Sequence, residues 1–397
     1  MLKHCVLLSS VLLPAAAAAG QFIPASESPI PGQYIVVLAQ TPGQAQPSPA
    51  ARRTRIAELA RAQRGTLTAV FERVLNGGVV RMSEAGARAL AGNPQVAYVE
   101  QDRNVRLTPP QFQALATSTQ VSVPSWGLDR IDQRQRPLSG TYTFSYTGLG
   151  VTAYVLDTGI RTTHVDFGGR ARVGFDAVND GRAGQDCNGH GTHVAGTIGG
   201  QQYGVAKAVS LVAVRVLDCK GSGTLSGVIS GVDWVTRQTA RPAVANMSLG
   251  GGASTSIDNA VKSSIASGIT YVLAAGNENT DACKRSPARV AEGLTVAAST
   301  STDARASYSN HGRCVDLFGP GSSINAPWYT SDSAAATLSG TSMAAPHVAG
   351  VAALYLQTRP AAAPSTVHSA VVAASTSKVL SGVSGTTANR LLYSLLP

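Results

Sequence analysis

The sequence predicts two units: a small α+β module, then an α/β domain built on a doubly wound, mostly parallel sheet with helices on both faces. Three observations carry that expectation. From Trp126 onward, short apolar runs alternate with stretches of helical pattern, and strands that are apolar throughout belong to sheets covered on both faces. Before that, strand and helix patterns follow in the order β-α-β-β-α-β over residues 33 to 108, the order of a split α+β module. Between the two lies TPPQFQALATSTQ, rich in Pro, Gln and Thr and without periodicity. It reads as an exposed linker, the kind of place where chains are cut.

Taken in order, the first twenty residues, MLKHCVLLSSVLLPAAAAAG, hold one Lys, a short apolar stretch and small residues suited to cleavage near Ala19 or Gly20. That is the pattern of a secretory signal peptide, and it is short for a membrane span. Gln33 to Ala39 reads as a strand, ARRTRIAELARAQR as a helix, and LTAVFERVLNGGVVRMS as two strands about a turn at Gly77-Gly78. EAGARALAGN follows as a helix and VAYVEQDRNVRL as a strand. In the larger unit, strands end at Asp157, Asp218, near Gly250 and at Asn277, with helical patterns between them. Polar residues gather where the strands end, and open α/β sheets place their sites there.

Composition narrows the function classes. The 397 residues carry a formal charge of +10, but residues 33–108 hold ten Arg/Lys against five Asp/Glu and residues 119–397 hold 21 against 16. Each part is therefore only mildly basic, with no dense basic run interleaved with aromatics. The charge is read as a solubility feature, and neither a nucleic acid nor a membrane is expected as partner. Of the five cysteines, Cys5 would leave with the signal peptide. Cys187, Cys219, Cys283 and Cys314 remain, an even number with three possible pairings in an oxidising compartment.

Three stretches form a catalytic constellation. Asp157 ends a strand in VLDTGI, His190 opens a helical pattern in NGHGTHVAG, and Ser342 stands before the last long helix in LSGTSMAAPHVAG. A serine hydroxyl is a poor nucleophile until a base takes its proton, and an imidazole titrates in the right range to do so. A carboxylate on the other ring nitrogen fixes the tautomer and stabilises the imidazolium. Asn277, at the end of VLAAGN, supplies an amide for the oxyanion beside the Ser342 backbone N–H. Taken by itself, the stretch around Ser342 reads first as an ordinary N-cap, and the rest of the chain decides for the nucleophile.

With VLDTGI, GHGTHVAGTIGG, NMSLGGG, AAGN, FGPG and SGTSMAAPHVAG in this order, the chain resembles the subtilisin-like serine proteases, most closely the proteinase K and aqualysin-like group. The likeness extends over residues 33 to 397. It implies a subtilisin-like fold, and a secreted serine endopeptidase of broad specificity in which Asp157, His190, Ser342 and Asn277 are catalytic. It implies that Gly221, Ser222 and Gly223 on one side and Ser248, Leu249 and Gly250 on the other clasp an extended protein substrate, with Ala274, Ala275 and Gly276 lining the site. No charge occurs in the two clasping stretches, which accords with an apolar or aromatic residue before the cut bond. The N-terminal module resembles the family's inhibitory propeptide, a chaperone and inhibitor of its own enzyme. The implied organisation is a signal peptide at 1–20, a propeptide at 33–108, a linker with the maturation cut at 109–120 and a catalytic domain at 121–397, acting as a monomer.

The same resemblance implies the pairs Cys187–Cys219 and Cys283–Cys314, and one to three structural calcium ions. One would lie on Asp316 with the carbonyls of Ala291 and Gly293, a second on Asp129, Asp132 and Gln133, a third on Asp180 and Asp186. Carboxylates with carbonyl oxygens suit calcium better than zinc. His193 and His347 are expected to be structural, since no H-E-x-x-H pattern joins a carboxylate to them. A lipase elbow is excluded because Gly340-Thr341-Ser342-Met343-Ala344 lacks its last glycine. An inactive binding protein of the same shape would not need every catalytic position filled.

Overall fold

The computed structural model describes residues 20–40, 46–107, 123–383 and 385–395, so the expected signal peptide, but for Gly20, and the linker at 109–120 lie outside the described residues. The N-terminal unit contains β1 (Gln21–Ile23), β2 (Pro29–Leu38), α1 (Pro49–Ala62), β3 (Thr66–Val70), β4 (Gly77–Arg81), α2 (Glu84–Ala91) and β5 (Val96–Arg106). Its sheet runs β1-β5-β2-β4-β3. The helices begin where capping chemistry allows: Ser48 accepts the Ala51 N–H ahead of Pro49, and Ser83 accepts the Gly86 N–H.

One expectation needs correction here. Gly77 and Gly78 are not the hairpin turn but the start of β4. A Cβ at Gly77 would lie 2.4 Å from the Val36 carbonyl oxygen and one at Gly78 2.4 Å from that of Ala69, so the pair serves close backbone approach within the sheet. Ahead of Gln33, β1 adds in parallel to β5 at the edge of the same sheet.

The larger unit opens with α3 (Trp126–Ile131), β6 (Thr152–Asp157), β7 (Ala171–Asp176), α4 (His190–Gly199) and β8 (Ser210–Arg215). Next come β9 (Ser222–Thr224), α5 (Leu225–Arg237), β10 (Ala243–Met247), β11 (Gly251–Gly252), α6 (Thr255–Ala266) and β12 (Thr270–Ala274). The short β13 (Arg285–Ser286) precedes β14 (Leu294–Ser299), β15 (Leu317–Pro320), β16 (Ile324–Pro327) and β17 (Ala335–Leu338). The chain ends through α7 (Thr341–Thr358), α8 (Pro364–Ala374), β18 (Thr376–Ser377) and β19 (Arg390–Leu391).

The main sheet has the order β18-β19-β15-β14-β12-β10-β6-β8-β7, parallel except for the β18–β19 pair. Alternation along β6 shows why both faces are covered. Ala153 and Val155 pack with Val194 of α4 and Val348 of α7, whereas Tyr154 and Leu156 pack with Val228 of α5 and Val261 of α6. Strands buried on two sides must be apolar at every position, which is the pattern the sequence carries.

The N-terminal sheet is itself two-faced. Tyr34, Val36 and Val80 join Ile56 and Leu90 of its own helices, while Ile35, Val37 and Val79 share a buried cluster with Val232 and Ile257 of α5 and α6. Among the described residues no helix is long and apolar enough to cross a membrane.

Candidate active site

The site assembles where the parallel strands end. Asp157 is the last residue of β6 and fully buried. Its Oδ1 accepts the Thr158 N–H at 2.8 Å and lies 2.8 Å from His190 Nδ1, so the backbone fixes the carboxylate that orients the imidazole. His190 opens α4 behind Gly189, whose φ of +105° turns the chain left-handed into the helix. A Cβ at Gly189 would also strike the Trp328 ring.

The loop that delivers His190 is organised by Asp186. Its carboxylate accepts the N–H groups of Asn188, Gly189 and Thr192 and the hydroxyls of Thr158 and Thr192, all within 2.9 Å. Asp180, expected beside it at a calcium ion, instead forms a two-point pair with Arg215 at 2.6 and 2.8 Å. That guanidinium holds the Asp180 carboxyl well below the usual carboxylate range. Asp180 and Asp186 thus each have partners of their own in this structure. Asp180 is also near the sulfurs of Cys187 and Cys219, but these are joined in a disulfide and offer no thiolate.

Ser342 lies in the first turn of α7, and its side chain does not cap the helix. Gly340 occupies the N-cap, which leaves the serine free for another task. Pro346 removes the N–H that would reach back to the Ser342 carbonyl. Ser248 answers the gap: its hydroxyl donates to the Ser342 carbonyl at 2.9 Å, and the Ser342 hydroxyl donates to the Ser248 carbonyl at 3.1 Å. In this state the hydroxyl is held by the substrate segment rather than by His190, and such bonds commonly rearrange when substrate enters.

Asn277 is aimed by its oxygen. Its Oδ1 accepts both the N–H and the hydroxyl of Thr341 at 2.8 Å, which leaves the amide Nδ2 beside Gly340, 3.2 Å from where a Cβ there would stand. The loop carrying Asn277 is pinned by a residue the sequence reading passed over. Buried Asn310 accepts the N–H groups of Glu278 and Thr280 and donates to the Ala275 carbonyl at 2.8 Å. No motif in the sequence signals Asn310.

Ser248, Leu249, Gly250, Ala274, Ala275, Gly276, Asn277, Thr341 and Ser342 line one pocket. Glu278 and Arg285 line it too, 3.6 Å apart, so the site as a whole is not free of charge although the clasping segments are. The clasp is filled by the protein's own chain. Val105 of β5 pairs with Gly223 and Arg106 with Ser222, Arg106 bridges to Gly250, and the Leu107 N–H donates to the Gly221 carbonyl at 2.9 Å. The N-terminal unit thus inserts an extended segment between the two stretches named for substrate.

Of the remaining calcium candidates, the Asp129, Asp132 and Gln133 group has the right chemistry. Asp129 accepts the Ser139 and Gly140 N–H groups and Gln133 Oε1 accepts the Ser139 N–H. Asp132 Oδ1 is buried without any donor, and burial pushes the Asp132 carboxyl up. An orphaned carboxylate oxygen among hydroxyl and amide oxygens fits a hard cation. In Asp316 one oxygen accepts the Thr295 N–H at 2.8 Å and the other lies 3.4 Å from His368 Nε2. Both disulfides are formed, Cys187–Cys219 and Cys283–Cys314. His193 and His347 are fully buried and bonded to backbone carbonyls, and burial pulls them down to about 3 and about 4.

The chain is similar to known proteins over nearly its whole length. Residues 148–390 match the model of the subtilase family and residues 33–108 that of the peptidase inhibitor I9 family. An extracellular serine proteinase of Thermus sp. (strain Rt41A) is 51% identical over 92% of this chain and 90% of its own length. Alkaline serine exoprotease A of Vibrio alginolyticus is 53% identical over 82% of this chain and 60% of its own length. A crystal structure of a cold adapted subtilisin-like serine proteinase superposes with a TM-score of 0.66 at 58% identity, covering 68% of this chain and 98% of the other. With strand ends, helix starts and inhibitor strand arranged in this way, the chain belongs to the subtilase family of serine endopeptidases and carries its own inhibitor domain in front.

Proposed function

We propose that Ser342 is the nucleophile of this endopeptidase, with His190 as general base, Asp157 holding His190, and Asn277 with the Ser342 N–H stabilising the oxyanion. The observation that carries the reading is the buried Asp157–His190 pair at 2.8 Å, set beside a serine released from capping duty. On attack, Ser342 Oγ bonds to the substrate carbonyl carbon while His190 takes its proton. The tetrahedral intermediate then collapses as His190 protonates the leaving nitrogen, and water repeats the sequence on the acyl-enzyme. Gly221–Gly223 and Ser248–Gly250 pair with the substrate backbone, so recognition is tolerant of side chains. An apolar or aromatic residue before the cut bond suits the Ala274–Gly276 lining.

The enzyme is read as an exported monomer that acts on proteins. Residues 1–20 direct export, and a cut within 109–120 separates the inhibitor from the domain at 121–397. Calcium is its structural ion. Asp129, Asp132 and Gln133 would hold it, and its part is to stabilise the native state through binding.

The test is expression of the full chain beside Ser342→Ala, with intact mass and hydrolysis of an unstructured protein followed together. The native chain should shed the mass of its N-terminal part and digest the substrate, and the variant should do neither. A folded native chain that stays full length and inert would sink the reading.

A further inference from the structure

The segment from Gly20 to Pro29 precedes the residues that match the inhibitor family, yet it is built into the complex. Phe22 of β1 pairs with Val99 of β5, its ring 6.1 Å from that of Tyr34 and covered by the Arg88 guanidinium at 4.2 Å. The chain then crosses toward the catalytic unit and turns at Ser28, where φ is +45°.

The contacts of this crossing converge on two residues. Ser26 Oγ accepts from Arg103 Nη1 at 3.2 Å, and the same buried guanidinium donates through Nη2 to the Gly252 carbonyl of the catalytic unit. The Ser28 carbonyl accepts the Asn104 N–H at 3.0 Å. Arg103 and Asn104 immediately precede Val105, Arg106 and Leu107, the residues that fill the clasp. A direct tie is added by Glu27, whose carboxylate lies 3.4 Å from Arg285. Gly252 is shaped for the crossing, since a Cβ there would stand 2.8 Å from Ser26 Oγ and 3.4 Å from Glu27 Cδ.

We propose that the Gln21–Pro29 arm is a clamp that keeps the inhibitory strand seated in the clasp and so sets how long the protease stays silent after the linker is cut. The inference rests on the inhibitory reading of the N-terminal unit. Once the covalent connection is gone, only non-covalent contacts delay release, and the arm fastens the two residues from which the cleft-filling segment extends. Its partner is this chain's own Gly252 and Arg285 edge.

The full chain is compared with a deletion of residues 21–28 and with Glu27→Lys and Phe22→Ala. The lag before hydrolysis of a small peptide substrate is measured, together with kcat/KM once activation is complete. The deletion should shorten the lag about tenfold and Glu27→Lys about twofold, the smaller effect fitting an exposed ion pair. Final kcat/KM should be unchanged in all three. Wild-type lags in every variant would overturn the clamp and leave inhibition standing. A native chain with no lag after cleavage would remove the inhibitory reading and the clamp with it. If the deletion yields no folded enzyme, the two point variants decide, because both leave the β1 backbone in place.

Discussion

The two units are fastened to the cleft by opposite means. On the catalytic side, the disulfide Cys187–Cys219 joins the loop before His190 to the loop before Gly221, and Cys283–Cys314 ties the segment after Asn277 to the segment after Asn310. The N-terminal unit has no such link. It is held by a shared apolar cluster, by the arm before Pro29, by carboxylates and by one strand. Glu100 accepts the Ser254 hydroxyl at 2.6 Å and the Ser256 N–H at 2.8 Å where α6 begins, and Asp102 accepts the Ser226 N–H at the start of α5. In return, Asp233 of α5 accepts the N–H groups of Glu72, Arg73 and Val74. Charges at helix N-termini are favourable yet exchangeable with water once the surfaces part. The machinery is built to persist and its inhibitor to be shed.

That contrast can be broken at several points. The largest effect is expected from Asn277→Ala, which removes the proposed oxyanion donor. Steady-state kinetics should give kcat lower by about a hundred- to a thousandfold with KM near wild type, and an unchanged kcat would take Asn277 out of the chemistry. Replacing Cys187 and Cys219 together by Ser reopens a loop of sequence separation 32. Denaturant unfolding of the matured enzyme should show a loss of about 3 to 4 kcal/mol.

Calcium removal comes next. Chelation should lower the melting temperature of the wild type, and Asp132→Asn should shrink the difference between calcium and chelator, as expected for an ion worth about 2 to 3 kcal/mol near saturation. An equal difference in both proteins would move the ion elsewhere. The smallest change concerns the detachable unit. Glu100→Ala should weaken its hold by about 1 to 2 kcal/mol, read as earlier onset of activity without a change in final kcat/KM.

Legibility in the sequence followed the same division. Asp157, His190, Asn277 and Ser342 each sit in a local motif because each depends on its own strand end or helix start, and continuous apolar runs gave away the parallel sheet. What escaped was decided by partners remote in sequence. The pairing of Asp180 with Arg215, thirty-five positions on, is one case. Asn310 was silent because its work is done on residues some thirty positions earlier. The Gly77-Gly78 pair looked like a turn because glycine serves close packing and sharp bends equally well. The arm before Pro29 has no periodicity of its own and is ordered by the edge it joins.

The proline in α7 has a consequence for how recognition and reaction are coupled. A helix complete in its first turns would be self-sufficient and indifferent to what lies beside it. Pro346 leaves the rung at Ser342 unfilled and the Ser248 hydroxyl fills it, while the Ser342 hydroxyl donates back, so the segment proposed to grip substrate and the proposed nucleophile are bonded in both directions. Tension on one is felt at the other. Pro346→Ala would restore the rung to the helix and loosen that joint, giving a firmer helix and a less faithful cleft.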